Sequence, residues 1–209
     1  MRLWPAIYDR LPEWQSLTYQ YRDAGTPWED VPGLSIRMGA KRDVTNCCVF
    51  TWAALLQGMA DIGQPLEYDR ALQEWAMVID PEKHRTGAAG AAVRAGMARM
   101  ISPDDYKPGV GPCVAQFWRK EGSNIGGHSL FLYACASDNG VHQGVWTMEA
   151  NGRNDGSGPA LGLDGVGCRV RAGDGTWRNL GRFPPLASLY RWGELREQYE
   201  EIMLARLVL

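Results

Sequence analysis

Apolar and polar positions along this chain fall into two regimes, helical in the first half and strand-like in the second. Residues 5–22 place Ile7, Leu11, Trp14, Leu17 and Tyr21 at helical spacing, interrupted by Pro12. A turn-rich connection from Asp23 to Asp43 follows, containing Pro27, Pro32 and three glycines. Val49 to Met59 is then apolar on nearly every side, the pattern of a centrally buried helix. Thr45 or Asn46 is placed to cap its start, and Gly58 or Gly63 to end it. Two further helices are predicted, over 68–79 (Leu72, Trp75, Ala76, Ile79) and 88–100 (Val93, Met97, Met100).

Beyond the Pro/Gly stretch at 102–112 the pattern changes. Residues 113–119, 129–136 and 145–150 read as three adjacent antiparallel strands, the last two joined by an Asp-Asn-Gly turn at 138–140. Residues 152–181 are dense in Gly, Asn and Asp, with short strands predicted at 168–171 and 189–192. Residues 193–209 read as a helix with Leu195, Tyr199, Ile202 and Met203 as its apolar stripe. Helices followed by sheet predict an α+β fold in one domain over 1–209.

Composition narrows the function. With 209 residues, 45% of them apolar, and nine Trp, the chain has material for one packed core. A net charge of −2 and basic residues scattered singly or in pairs argue against nucleic acid as a partner. No run approaches the ~20 apolar residues a membrane helix needs. The N-terminus lacks the pattern of a secretory signal, so synthesis in the cytoplasm is expected. Five cysteines without a CxxC pair predict neither a disulfide framework nor a zinc site. The Asn/Asp-rich segment around Asn151, Asn154, Asp155 and Asp164 lacks the spacing and closing Glu of a calcium loop, and no cofactor or metal is expected. Trp118, Trp146, Trp177 and Trp192 read as core, with one or two available to line a groove.

The segment RDVTNCCVFTWAALL carries the chemistry. A cysteine in the first turn of a buried helix sits where unpaired backbone N–H groups and the helix dipole favour negative charge. That position raises the thiolate fraction and offers donors for the oxyanion formed after attack on a carbonyl. Either Cys47 or Cys48 fits; Cys47 lies nearer the cap. Cys113, Cys135 and Cys168 fall in apolar strands and read as inert core thiols. Of three histidines, His84 sits in a charged loop and His142 in a hairpin turn, whereas His128 opens an apolar strand in GGHSLFLY. Glu149 and Asn151, two apart in MEANG, share a strand face, and either could orient an imidazole on the next strand.

These segments resemble a known group. NCCVF is similar to the Cys-x-x-Phe helix start of papain-like enzymes, with Phe50 three residues after Cys47. GGHSLFLY resembles the Gly-His strand of CHAP amidases and NlpC-type cell-wall peptidases, and MEANG the Glu-x-Asn of the CHAP family. The order Cys, His, polar residue also matches. The resemblance implies a papain-like fold, with Cys47 as nucleophile, His128 as base and Glu149 or Asn151 as orienter. It further implies cleavage of amide bonds in peptidoglycan or its peptides. The second cysteine at 48 departs from the pattern, as does the long Cys47–His128 interval, which implies an insertion over 61–110.

The leading expectation is therefore a cysteine amidase or endopeptidase acting on cell wall. Without a signal it suits a hydrolase delivered by a phage or secretion system, such as an antibacterial effector with a cognate inhibitor protein. Two alternatives remain open: a deamidase, transglutaminase-like enzyme or protease acting on a protein, and a non-catalytic phage or virion component.

Overall fold

The computed structural model describes residues 2–14, 18–19, 44–77, 87–106, 110–119, 127–138, 141–150, 166–171, 177–179 and 199–209. Its helices are α1 (Leu3–Asp9), α2 (Leu11–Trp14), α3 (Cys47–Asp61), α4 (Arg70–Met77) and α5 (Gly87–Arg94). Its strands are β1 (Thr18–Tyr19), β2 (Val44–Thr45), β3 (Ala98–Ile101), β4 (Cys113–Arg119), β5 (Gly127–Asp138), β6 (Val141–Ala150), β7 (Val166–Arg171), β8 (Trp177–Asn179) and β9 (Tyr199–Leu207).

Helix α3 is the hub, because a helix without a polar face must be covered all round. Every residue from Cys47 to Met59 is buried. Full burial of side chains such as Phe50 and Leu55 is worth roughly 1.5–3 kcal/mol each. Gly58 lets α1 approach: a Cβ there would lie 2.7 Å from Ile7 and 2.8 Å from Leu3. Gly63 ends the helix. At φ 78° it donates to Ala60 O (3.0 Å) while Gln64 donates to Met59 O (2.8 Å), which together satisfy two terminal carbonyls.

Seven strands form one antiparallel sheet in the order β3-β9-β4-β5-β6-β7-β8, and β1 and β2 form a short parallel pair leading into α3. Helix α3 packs on β5 and β6, and α5 on β3, β4 and β9. The face under the helices carries Val114, Trp118, Phe131, Tyr133, Met148 and Met203. A second apolar cluster contains Cys113, Ala115, Phe117, Leu130, Leu132 and Leu204, the strand residues that alternate with the first set. No helix among the described residues is long and apolar enough to cross a membrane.

The α+β class, the buried helix and the three adjacent strands β4, β5 and β6 agree with expectation, and Asp138 pairs with Val141 across the β5–β6 hairpin. Three predicted helices need correction. Within 193–209, residues 199–207 form strand β9, between β3 and β4, rather than a helix. Tyr199, Ile202 and Leu204 face one apolar cluster while Met203, Ala205 and Leu207 face the other, so both sides are apolar and no alternation shows in the sequence. The predicted helix 88–100 stops at Arg94, because Gly96 at φ 75° closes it through Met97 N–H to Ala92 O (2.9 Å), and β3 follows. The predicted helix 5–22 divides at Arg10, and Thr18–Tyr19 pair instead with Val44–Thr45. The stretch 61–110 supplies α4, α5 and β3, and α5 and β3 belong to the core and sheet. The predicted strand 189–192 and residues 193–198 lie outside the described residues.

Candidate active site

The site begins with the cap of α3. Asn46, extended at φ −133°, accepts the Val49 N–H on its side chain at 2.9 Å, and its carbonyl accepts the Phe50 N–H at 2.8 Å. Of the two possible caps, Asn46 is the one used. The N–H groups of Cys47 and Cys48, one and two positions into the helix, have no acceptor within it. Phe50 fixes how this helix end sits: it packs edge-on to Trp14 (5.6 Å between centroids) and to Phe131 of β5 (6.1 Å). Cys47 and Cys48 are thereby carried against the start of β5, both buried, at 3% and 2% exposure.

His128 is the second residue of β5, and Glu149 lies near the end of the neighbouring β6. The His128 Nε2 and a Glu149 carboxylate oxygen are 2.5 Å apart, with side-chain exposures of 12% and 2%. With Nε2 engaged by the carboxylate, Nδ1 is the ring nitrogen left for the neighbouring Cys47 thiol, whose titration the ring influences.

Electrostatics follow from these contacts. The Cys47 thiol is held well below the ordinary thiol range, first by a hydrogen bond from Cys48. Burial opposes this, and the His128 ring and the Ser129 backbone N–H add to it. Burial works against charge on His128, yet hydrogen bonds to Cys47 and Glu149, with their negative charges, raise it to about 9. A lowered thiol beside a raised imidazole favours the thiolate–imidazolium form of the pair over the neutral one.

The two adjoining cysteines meet different surroundings. Cys48 turns to Ser129, with 3.3 Å between Sγ and Oγ, and contact with Cys47 together with burial pushes its thiol well above the usual range. Cys113 is pushed up to about 12 by burial, with the charge of Arg206 acting in the opposite direction.

Of the residues singled out in the sequence, Cys47, His128 and Glu149 come together here. Asn151 lies outside the described residues, as do His84 and the side chains of His142, Cys135 and Cys168. Two participants were not foreseen. Ser129 contacts Cys48 and donates a hydrogen bond to Gln116 Oε1, and Gln116 is its cross-strand partner on β4. The available signals were a hydroxyl directly after His128 and an amide inside the apolar run VAQFW. A buried polar residue in an apolar strand must find a partner, and this pair satisfies that need.

No known family model, curated protein or solved structure matches this chain.

Proposed function

We propose that this protein is a cysteine-dependent amide-bond hydrolase of papain-like type, in which Cys47 is the nucleophile, His128 the acid–base and Glu149 the residue that orients and charges it. The observation that carries the reading is a buried cysteine at a capped helix start beside an imidazole that a buried carboxylate clamps at 2.5 Å. A thiolate–imidazolium pair costs desolvation to keep buried, and acyl-transfer catalysis, hydrolysis included, is a chemistry that uses one. The chain order Cys, His, Glu and the packing of the cysteine's helix on an antiparallel sheet support the papain-like assignment.

In the proposed reaction the Cys47 thiolate attacks the amide carbon. The carbonyl oxygen becomes an oxyanion and is met by the N–H groups at the α3 start. His128 gives its Nδ1 proton to the departing amine as the C–N bond breaks, leaving a thioester on Cys47. Neutral His128 then takes a proton from water, the hydroxyl attacks the thioester, and the thiolate and imidazolium are restored with release of the acid. Glu149 holds the ring in register and stabilises its charged form throughout.

The substrate we propose is an amide bond of peptidoglycan, supported by the likeness of NCCVF, GGHSLFLY and MEANG to wall-hydrolase motifs. Delivery by a phage or secretion system, and an inhibitor protein in the producer, belong to the same proposal. The test is digestion of purified sacculi by wild type and Cys47→Ala, with fragments identified by mass spectrometry. New amino and carboxyl termini from wild type alone support the reading. Intact sacculi, with hydrolysis or deamidation of a protein substrate, would keep the thiol chemistry and reject the wall.

A further inference from the structure

Cys48 is hard to explain as a space-filler. It is 2% exposed, and its sulfur lies 3.3 Å from Ser129 Oγ rather than among hydrocarbon alone. Ser129 in turn donates its only proton to Gln116 Oε1. Gln116 is fixed: it is fully buried, pairs with Ser129 across β4 and β5, and its amide nitrogen reaches Phe117 O at 3.5 Å. Gly87 closes over it, since a Cβ there would collide with the Gln116 side-chain amide.

The direction of these bonds decides what Cys48 can do. An amide oxygen only accepts, so the Ser129 proton is committed to Gln116 and its oxygen presents lone pairs to Cys48. Cys48 therefore keeps its own proton, with Ser129 Oγ as an acceptor at 3.3 Å and the Cys47 sulfur on the adjoining residue of the same buried helix start. Among the described residues, the titratable groups around Cys47 are Cys48 on its own helix and His128 on β5, with Glu149 on β6 behind the imidazole.

We propose that Cys48 is a positioning residue whose buried S–H is a two-position donor, turned to the Cys47 sulfur when that sulfur is charged and to Ser129 Oγ when it is acylated. The inference rests on the reading of Cys47 as nucleophile and deepens it. In the resting enzyme Cys48 S–H and the imidazolium both donate to the thiolate. Acylation forms the S–C bond, uses the sulfur lone pair and removes the charge, so the S–H rotates to Ser129. When the S–C bond breaks in deacylation, the electron pair returns to Cys47 and the S–H rotates back to receive it. No proton leaves Cys48 at any step, in keeping with the upward push on its thiol.

The test is the pH dependence of Cys47 alkylation by iodoacetamide, read by peptide mapping. Cys48→Ala moves the acid limb upward by about one pH unit, so that below the limb Cys47 is labelled about tenfold more slowly. Cys48→Ser, which keeps a donor, restores most of the wild-type profile. Cys48→Val, which fills the space without a donor, behaves like Cys48→Ala and serves should the alanine variant lose its native near-UV circular dichroism. Ser129→Ala removes the competing acceptor, so its limb stays in place or moves down, the opposite sign to Cys48→Ala. A Cys48→Ala or Cys48→Val limb that coincides with wild type overturns the proposal, as does a Ser129→Ala limb raised alongside Cys48→Ala. The two levels separate through His128→Ala. If that variant shifts the limb and Cys48→Ala does not, only the donor role of Cys48 fails. If wild-type Cys47 titrates as an ordinary thiol that His128→Ala leaves unmoved, the nucleophile reading fails and takes this one with it.

Discussion

Glu149→Gln removes the charge beside the His128 ring while keeping the side chain's shape. In the wild type His128 is raised from 6.5 to about 9, an elevation of about 2.5 pH units. Burial, the largest influence, pulls the other way, so the hydrogen bonds and negative charges of Cys47 and Glu149 together supply more than that elevation. Glu149 contributes one of the two hydrogen bonds and one of the two negative charges that raise the ring. Each pH unit of elevation lost with Glu149 corresponds to roughly 1–1.5 kcal/mol of imidazolium stabilisation. Because the burial penalty persists, the His128 midpoint in the variant should fall by at least about one pH unit. Long-range 1H–15N spectra across pH 5–10 can follow all three histidines of the chain, with His128 assigned by its loss in His128→Ala. A wild-type midpoint near 6.5, or an unchanged midpoint in Glu149→Gln, would refute the reasoning.

Other expectations follow from the same contacts. The ion pair links folding to pH: His128, raised to about 9 from 6.5, stabilises fully below pH 6.5 and loses this as pH rises through 9. Cys47, lowered from 9.0, stabilises fully above 9.0 and loses this as pH falls through its folded value. Toward the alkaline side the two pH dependences oppose and offset one another, while in acid the His128 part is constant and loss of the Cys47 part lowers stability by up to about 1.4 kcal/mol per pH unit. The urea-unfolding difference between wild type and Cys47→Ser/His128→Gln should therefore be flat from neutral to mildly alkaline pH and shrink in acid; a difference that grows in acid contradicts this. Asn46→Ala should cost about 1 kcal/mol through loss of the α3 cap, read from the urea midpoint, and an unchanged midpoint would remove the cap from the account. Gly87→Ala, at φ 78° and against Gln116, should cost more than ~1 kcal/mol in the same assay; a neutral outcome would show that Gln116 gives way. Cys113 should resist a thiol reagent at pH 8 in the native protein and react on unfolding, since burial holds its thiol near 12.

Legibility in the sequence depended on whether a residue's role leaves a local mark. Helix α3 could be read because all-round apolarity and Asn46 at its start have one economical explanation, and the hairpin around 138–140 because turn residues sit between apolar runs. Strand β9 could not. Packed on both faces, Ile202 to Ala205 forms a continuous apolar run, and with Tyr199 it imitates a helical stripe as well as a strand. The end of α5 was obscured because Val93, Met97 and Met100 continue a helical spacing that Gly96 breaks. At the site, Cys47, His128 and Glu149 were visible because Cys, His and Glu are distinctive residue types for the proposed roles and stand in that order. The choice between Cys47 and Cys48 depends on which sulfur meets the imidazole and which meets Ser129, a property of the folded chain. Gln116 and Ser129 are common residues whose importance comes from burial and cross-strand register.

The most direct measurement is labelling of native wild type with limiting iodoacetamide at pH 5, with every cysteine mapped, beside His128→Ala. If Cys47 is the poised thiolate, it takes nearly all the label at a pH where ordinary thiols are almost fully protonated, and His128→Ala abolishes that preference. Equal, slow labelling of all five cysteines, unchanged in His128→Ala, would contradict the assignment of a catalytic thiol to this fold.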